Sequence, residues 1–213
     1  MNKPNPNRRN MANEREDYWF IAVVTPNTEK ASREKLDKLI EDLNKEKKYN
    51  ESKDERKRVV SYVPIQREMH EWPSNGRRVI VDRVICPCYI FIRCSDADRY
   101  LIACRAKFIH HFLMDRARIV KDGRNDFARI PHDQMEAFQR MVGDGETPVT
   151  IDPTKLHLGT KVRVKSGRLA GMEGYLYREP NGSNMIAITI NFLGSARTEY
   201  PIELLELANT PEG

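Results

Sequence analysis

The chain has 213 residues, 39% hydrophobic and 31% charged, enough apolar side chains for one large domain or two modest ones. Thirty-six Lys and Arg against 31 Asp and Glu leave a net charge of +5, which suits either work near nucleic acid or ordinary solubility. No apolar run approaches the ~20 residues of a bilayer span, the basic N-terminus lacks the apolar centre of a secretory signal, and four cysteines without an export signal point to free thiols in a reducing cytoplasm.

Residues 1–16 read as a disordered, solvated tail. Residues 19–24, "WFIAVV", are an apolar, aromatic and β-branched run that predicts a buried strand, stopped by Pro26. Thr28 is placed to cap a helix in which Ala31, Leu36, Leu39, Ile40 and Leu43 form one apolar stripe. Residues 41–58 are almost all charged, with both signs interspersed, which predicts a solvated helix end and a mobile loop. A second strand is expected from Val59. Asn75-Gly76 then marks a hairpin turn, because both central residues of a type I′ turn need positive φ. The returning strand covers residues 78–85, and another covers residues 89–93.

Ser95 or Asp96 is expected to cap a helix with Tyr100, Leu101 and Cys104 on one face. Residues 107–124 predict a short edge strand and a turn at Asp122-Gly123. A helix after Pro131 should bury Met135, Phe138 and Met141 or Val142, and end at Gly143 or Gly145. Residues 144–154 are rich in Gly, Pro and small polar residues, as a linker should be. Beyond them, strict alternation in "TKVRV" and the β-prone run "MIAITINF" predict a small β-barrel over residues 155–208. The whole is expected to be α+β: an antiparallel sheet with flanking helices over residues 17–143, then the barrel.

The motifs point away from catalysis. There is no phosphate-binding loop, no G-x-S-x-G and no H-E-x-x-H. His110 and His111 are adjacent, so on a strand they face opposite ways. One packed and one solvated histidine is the expectation. The stretch "VICPCYIFIRC", residues 84–94, holds three of the four cysteines. Its C-x-C spacing lacks the paired knuckles of a structural zinc site and the C-x-x-C geometry of a redox pair. The thiols therefore read as small apolar side chains, with no metal and no cofactor expected.

Several of these features, in this order, resemble the NusG family of transcription elongation factors. "WFIAVVTPNTEKASREKL" is similar to that family's opening strand and first helix. "VICPCYIFIR" is similar to its Phe-Pro-Gly-Tyr-aliphatic segment, and "GTKVRVKSGRLAGMEGYL" to its KOW signature. The resemblance covers nearly the whole chain, and implies an N-terminal NGN domain followed by an SH3-like KOW barrel, with no enzymatic activity. It implies that the N-terminal domain binds the clamp helices of the largest subunit of RNA polymerase and suppresses pausing or termination. Residue matching then places Trp19, Phe20, Cys86, Pro87, Tyr89 and Phe112 in the apolar dock. Arg77, Arg78, Arg99 and Arg105 would face nucleic acid or the far side of the cleft, including upstream or non-template DNA. In the barrel, Gly167, Leu169, Gly171, Gly174 and Phe192 match the face that recruits a termination factor or a small-subunit ribosomal protein.

The departures are Cys86 and Cys88 in place of an aromatic and a glycine, Leu169 in place of an aromatic, the charged insertion, and residues 107–118 with the His pair. They suggest a specialised paralogue, RfaH/UpxY-like, acting as a cytoplasmic monomer in antitermination on selected long operons such as surface polysaccharide genes. The alternatives are a ribosome- or RNA-associated KOW protein of translation and, on the cysteines alone, a zinc enzyme.

Overall fold

The computed structural model describes residues 18–46, 58–72, 76–120, 123–144, 147–153 and 159–208. The expected N-terminal tail, most of the charged insertion, Asn75, Asp122 and Gly145 lie outside these residues.

The first sheet is built around β1 (Tyr18–Val23), in which Trp19, Phe20, Ile21 and Ala22 are all buried. β5 (Tyr89–Arg93) pairs along one edge of it, and β2 (Val60–Tyr62) pairs with β5. β6 (His111–Phe112) and β9 (Arg129–Pro131) share the other edge end to end. α1 (Glu29–Glu46) covers one face through Leu36, Ile40 and Leu43, which pack with Phe20, Ile90, Ile92 and Phe112. The other face, with Trp19, Ile21 and Phe91, packs on Met135, Phe138 and Met141 of α3 (His132–Asp144). Each such side chain removed from water contributes about 1.5–3 kcal/mol before ordering entropy is subtracted.

Two ribbons stand outside this sheet. β3 (Ile65–Glu71) pairs with β4 (Arg78–Val84), and β7 (Met114–Ile119) pairs with β8 (Asn125–Phe127). α2 (Asp96–Arg105) lies between β5 and β6, capped by Ser95, whose Oγ accepts the Asp98 N–H at 3.1 Å. The C-terminal part is a six-stranded antiparallel sheet in the order β10 (Thr150–Asp152), β14 (Gly194–Glu199), β13 (Asn184–Ile190), β12 (Glu173–Arg178), β11 (Thr160–Val164), β15 (Leu205–Leu207). Val162 and Val164 point inward as the alternation predicts, with Leu169, Ile186, Ile190 and Leu205. The fold is α+β with a β-rich C-terminal part. Among the described residues no helix is long and apolar enough to cross a membrane.

Several local expectations are corrected. The run from Val59 is two strands, because Pro64 has no N–H for a ladder. Its carbonyl instead accepts the Ile85 N–H at 2.9 Å. Ala31 is exposed, and the buried stripe of α1 begins with Glu29 and Ser32. Thr28 stands at the helix start, but its hydroxyl turns to the Thr25 carbonyl at 2.7 Å. On α2 the buried residues are Asp98 and Ile102, one helical turn apart, while Tyr100 and Cys104 are exposed. α3 runs through Gly143. Thr150–Asp152, inside the expected linker, is a paired strand because Val149 and Ile151 find apolar cover.

α3 touches β1, β3 and β9 on one side and β13 on the other, so one apolar cluster continues from Trp19 through Phe138 to Ile188. Polar contacts reinforce it. Gln66 of β3, 2% exposed, donates to the Thr147 carbonyl at 2.8 Å and accepts the Val149 N–H at 2.8 Å. Gln134 of α3 accepts the Asn191 N–H at 2.9 Å.

Candidate functional site

The turn between β4 and β5 is Cys86-Pro87-Cys88. It is closed by the Tyr89 N–H donating to the Cys86 carbonyl at 3.3 Å. Cys88 sits at φ +70°, a left-handed conformation that costs an L-residue about 1–2 kcal/mol. A glycine would hold this φ without that cost. The turn is held from beneath by a carboxylate. Glu29, 4% exposed in the first turn of α1, accepts the Cys88 N–H at 2.7 Å and the Asn27 N–H at 3.1 Å through the same Oε1. The Val24 N–H donates to the Cys88 carbonyl at 2.9 Å, so the turn is tied to β1 as well.

This fastening presents Pro87, exposed, and Cys88 and Tyr89, half-buried, at one end of the sheet. Thr25 and His110 adjoin them, with the Thr25 Oγ1 and His110 Nε2 3.0 Å apart. Both His110 and His111 are exposed, not one packed and one solvated, because His110 precedes the two-residue strand β6 and does not share its alternation. Glu29, Thr25 and His110 were not singled out from sequence. A carboxylate at the first turn of a helix was the available signal for Glu29.

The other expected dock residues are core. Trp19, Phe20, Cys86 and Phe112 are 2–4% exposed. Trp19 donates its indole N–H to His132 Nδ1 at 3.1 Å on the α3 face, and Phe20 meets Phe112 edge-on at 6.4 Å on the opposite face. A strand covered on both faces leaves neither neighbour free. Burial pushes the Cys86 thiol up to about 12, so it is a neutral apolar group at ordinary pH.

The expected nucleic-acid-facing residues divide. Arg77 and Arg78 are exposed on the β3–β4 ribbon, though Arg78 Nε lies 2.8 Å from Glu71. Arg105 is exposed and faces Glu46 at 3.2 Å. Arg99 is not a surface residue: its side chain is 12% exposed, with the guanidinium 3.5 Å from the Phe127 ring centroid and near Phe20 and Phe112. Cation–π attraction and its Asp96 partner make it part of the packing.

In the C-terminal sheet, Gly167 and Gly171 hold positive φ in the loop after β11, and Phe192 is 39% exposed at φ +69°. Leu169 is fully buried, so it anchors the loop and is not part of a partner face. Gly174 is needed for close approach: a Cβ there would stand 2.7 Å from the Ala187 carbonyl oxygen. α3 reaches this loop as well, Arg140 donating to the carbonyls of Arg168 and Ala170 at 3.2 and 2.8 Å. Among the described residues no group of three or more His, Cys, Asp or Glu is placed to hold a metal ion.

No family model matches this chain, and no curated protein does. Among the solved structures that resemble it, two are informative to compare. One concerns domain interaction in Thermotoga maritima NusG, at 17% identity and a TM-score of 0.47, covering 91% of this chain and 98% of that one. The other is the MjSpt4:Spt5 complex in conformation A, at 11% identity and a TM-score of 0.26, covering 89% and 97%.

Proposed function

We propose that this chain is a NusG-type transcription elongation factor that binds RNA polymerase, through the clamp helices of its largest subunit, and suppresses pausing or termination. The observation that carries the reading is the Pro87-Cys88-Tyr89 turn. It falls where the resembling family has its polymerase-binding segment, and a buried Glu29 holds it outward at one end of the sheet. An exposed proline beside a half-buried aromatic on a rigid turn is a docking anchor that needs little ordering on binding. The dock is smaller than the family match implies, because Trp19, Phe20, Cys86 and Phe112 support it from within.

In this reading the residues 17–143 form the polymerase-binding domain, residues 144–154 the connection, and residues 155–208 the KOW domain, whose Gly167, Gly171 and Phe192 surround takes a second partner. The protein acts without catalysis or cofactor, in the cytoplasm, as a monomer. Antitermination on selected long operons, such as surface polysaccharide genes, is the finer role.

The test is co-purification of the full chain with RNA polymerase. The wild type is expected to be retained, and Tyr89→Ala to lose about tenfold in affinity, as an interface anchor does. Absence of binding by the wild type would end the proposal, and co-sedimentation with ribosomes instead would favour the translation alternative. Transcript profiling of a deletion strain tests the finer role: loss confined to the distal parts of a few long operons supports it, and a genome-wide change refutes it.

A further inference from the structure

The β3–β4 ribbon exposes two apolar side chains that the polymerase reading does not use. Met69 and Ile80 are 69% and 73% exposed, and they stand directly opposite each other in the ladder, so they form one patch on one face. Gln66, on the other face, is buried at the ribbon root. Single apolar residues scattered on a surface are ordinary, but this facing pair has an ordered surround.

The period of two puts Arg67 and Glu71 of β3, and Asp82 and Arg78 of β4, on the same face as that pair. On the root side Arg67 faces Asp82, its Nε 3.7 Å from Oδ1. On the tip side Arg78 faces Glu71, its Nε 2.8 Å from Oε2. Lys30 of α1 holds Asp82 at 2.9 Å, which ties the root side to the body. From β3 to β4 the signs therefore run positive then negative at the root, and negative then positive at the tip. An apolar centre inside a charged rim is the layout of a protein interface.

The alternation of sign selects the occupant. The four ribbon charges cancel, so the face has no net field with which to recruit a polyanion or a polycation. It is instead complementary to itself. A two-fold axis across the strands, through the Met69–Ile80 pair, lays a second ribbon antiparallel on the first. β3 then covers β3, β4 covers β4, and the root of each ribbon lies over the tip of the other. Arg67 meets Glu71 of the second copy, and Asp82 meets Arg78 of the second copy, while Met69 and Ile80 meet their own counterparts. Such an interface is isologous, so each charge contact is made twice. This axis sends the two bodies to opposite ends of the paired ribbons, whereas an axis along the strands would bring both to the same end.

We propose that this face of the β3–β4 ribbon is a self-association surface, on which two copies of the chain pack through Met69 and Ile80 with the Arg67–Glu71 and Asp82–Arg78 contacts between them. The seven residues of β3 span only about 23 Å, and the face is two strands wide. That is well short of the ~800 Å² per partner of a stable complex, so the dimer is weak, with a Kd on the order of 10–100 µM. The dilute chain is then the monomer of the polymerase reading, and the dimer is the form it takes when concentrated.

The experiment is sedimentation equilibrium of the full chain from about 5 to about 500 µM, a range that brackets the expected Kd. The average mass of the wild type should rise from that of one chain toward that of two. Met69→Ala with Ile80→Ala removes the apolar centre from both copies and should weaken association at least tenfold. Glu71→Arg with Arg78→Glu keeps an ion pair within the ribbon but sets like charges against Arg67 and Asp82 of the second copy, and should weaken association as much. The same exchange at the exposed Arg105–Glu46 pair should leave it unchanged. All these positions are exposed, and an unaltered thermal midpoint by circular dichroism reports that each variant is folded. A wild type that keeps the mass of one chain at the highest concentration would overturn the proposal and leave the face to a different protein. Association that survives either ribbon variant would overturn it as well.

Discussion

Gln66 is a buried polar residue whose removal the structure makes costly. It is buried at the root of the β3–β4 ribbon and bridges the backbone before β10 with both ends of its amide. Gln66→Met keeps length and apolar volume but removes both hydrogen bonds, each worth about 1 kcal/mol net, and leaves the buried Val149 N–H without its acceptor at about 1–3 kcal/mol. The expected loss is about 3 kcal/mol. With a urea slope of about 2–3 kcal/mol/M, the unfolding midpoint should fall by roughly 1–1.5 M. Amide exchange adds a local readout, since the Val149 N–H should lose protection along with the midpoint. A midpoint shift below about 0.3 M, or an unchanged Val149 protection factor, would refute the reasoning. The first would mean the bonds are not made, and the second that the cost arises elsewhere.

Gly174→Ala places a Cβ against the Ala187 carbonyl and Ile186 Cγ1 at 2.7 and 3.0 Å, and should cost about 1–3 kcal/mol in thermal unfolding with no relief from a smaller neighbour. Gly171→Ala, at φ +80° but in open space, should cost only about 1–2 kcal/mol of backbone strain, and a larger loss there than at Gly174 would contradict the close-approach account. Cys86 keeps its proton in the folded state up to about 12, against an ordinary value of 9.0. Its folded pKa is the higher one, so its contribution is whole below pH 9 and is lost above it, at about 1.4 kcal/mol per pH unit. Tyr62, also pushed up by burial, acts in the same sense at higher pH. Urea midpoints from pH 8 to 10.5 should fall less steeply for Cys86→Ala than for the wild type, and parallel curves would show that the thiol does not titrate this way.

Much of the architecture was legible in the chain. The apolar run of β1, the spacing of Leu36, Ile40 and Leu43, and the alternation of Val162 and Val164 are local patterns, and each formed the element its period predicts. In the C-x-C stretch Cys86 is the buried apolar thiol expected and Tyr89 opens β5, but the two cysteines flank a turn and do not lie in a strand. The accessible surface was less legible. Trp19 and Phe20 alternate, which ordinarily leaves one outside, but α3 and α1 cover both faces of β1. Arg99 looked like a surface cation until three aromatic rings, contributed by β1, β6 and β8, closed around it. Glu29 and Cys88 are 59 residues apart, and no local pattern joins them. Which elements exist was settled by short-range propensity and periodicity. Which side chains are held at the surface was decided by long-range packing: the Glu29 carboxylate under the Cys88 turn, and the Asp126 carboxylate between Arg118 and Arg129 at the root of the β7–β8 ribbon.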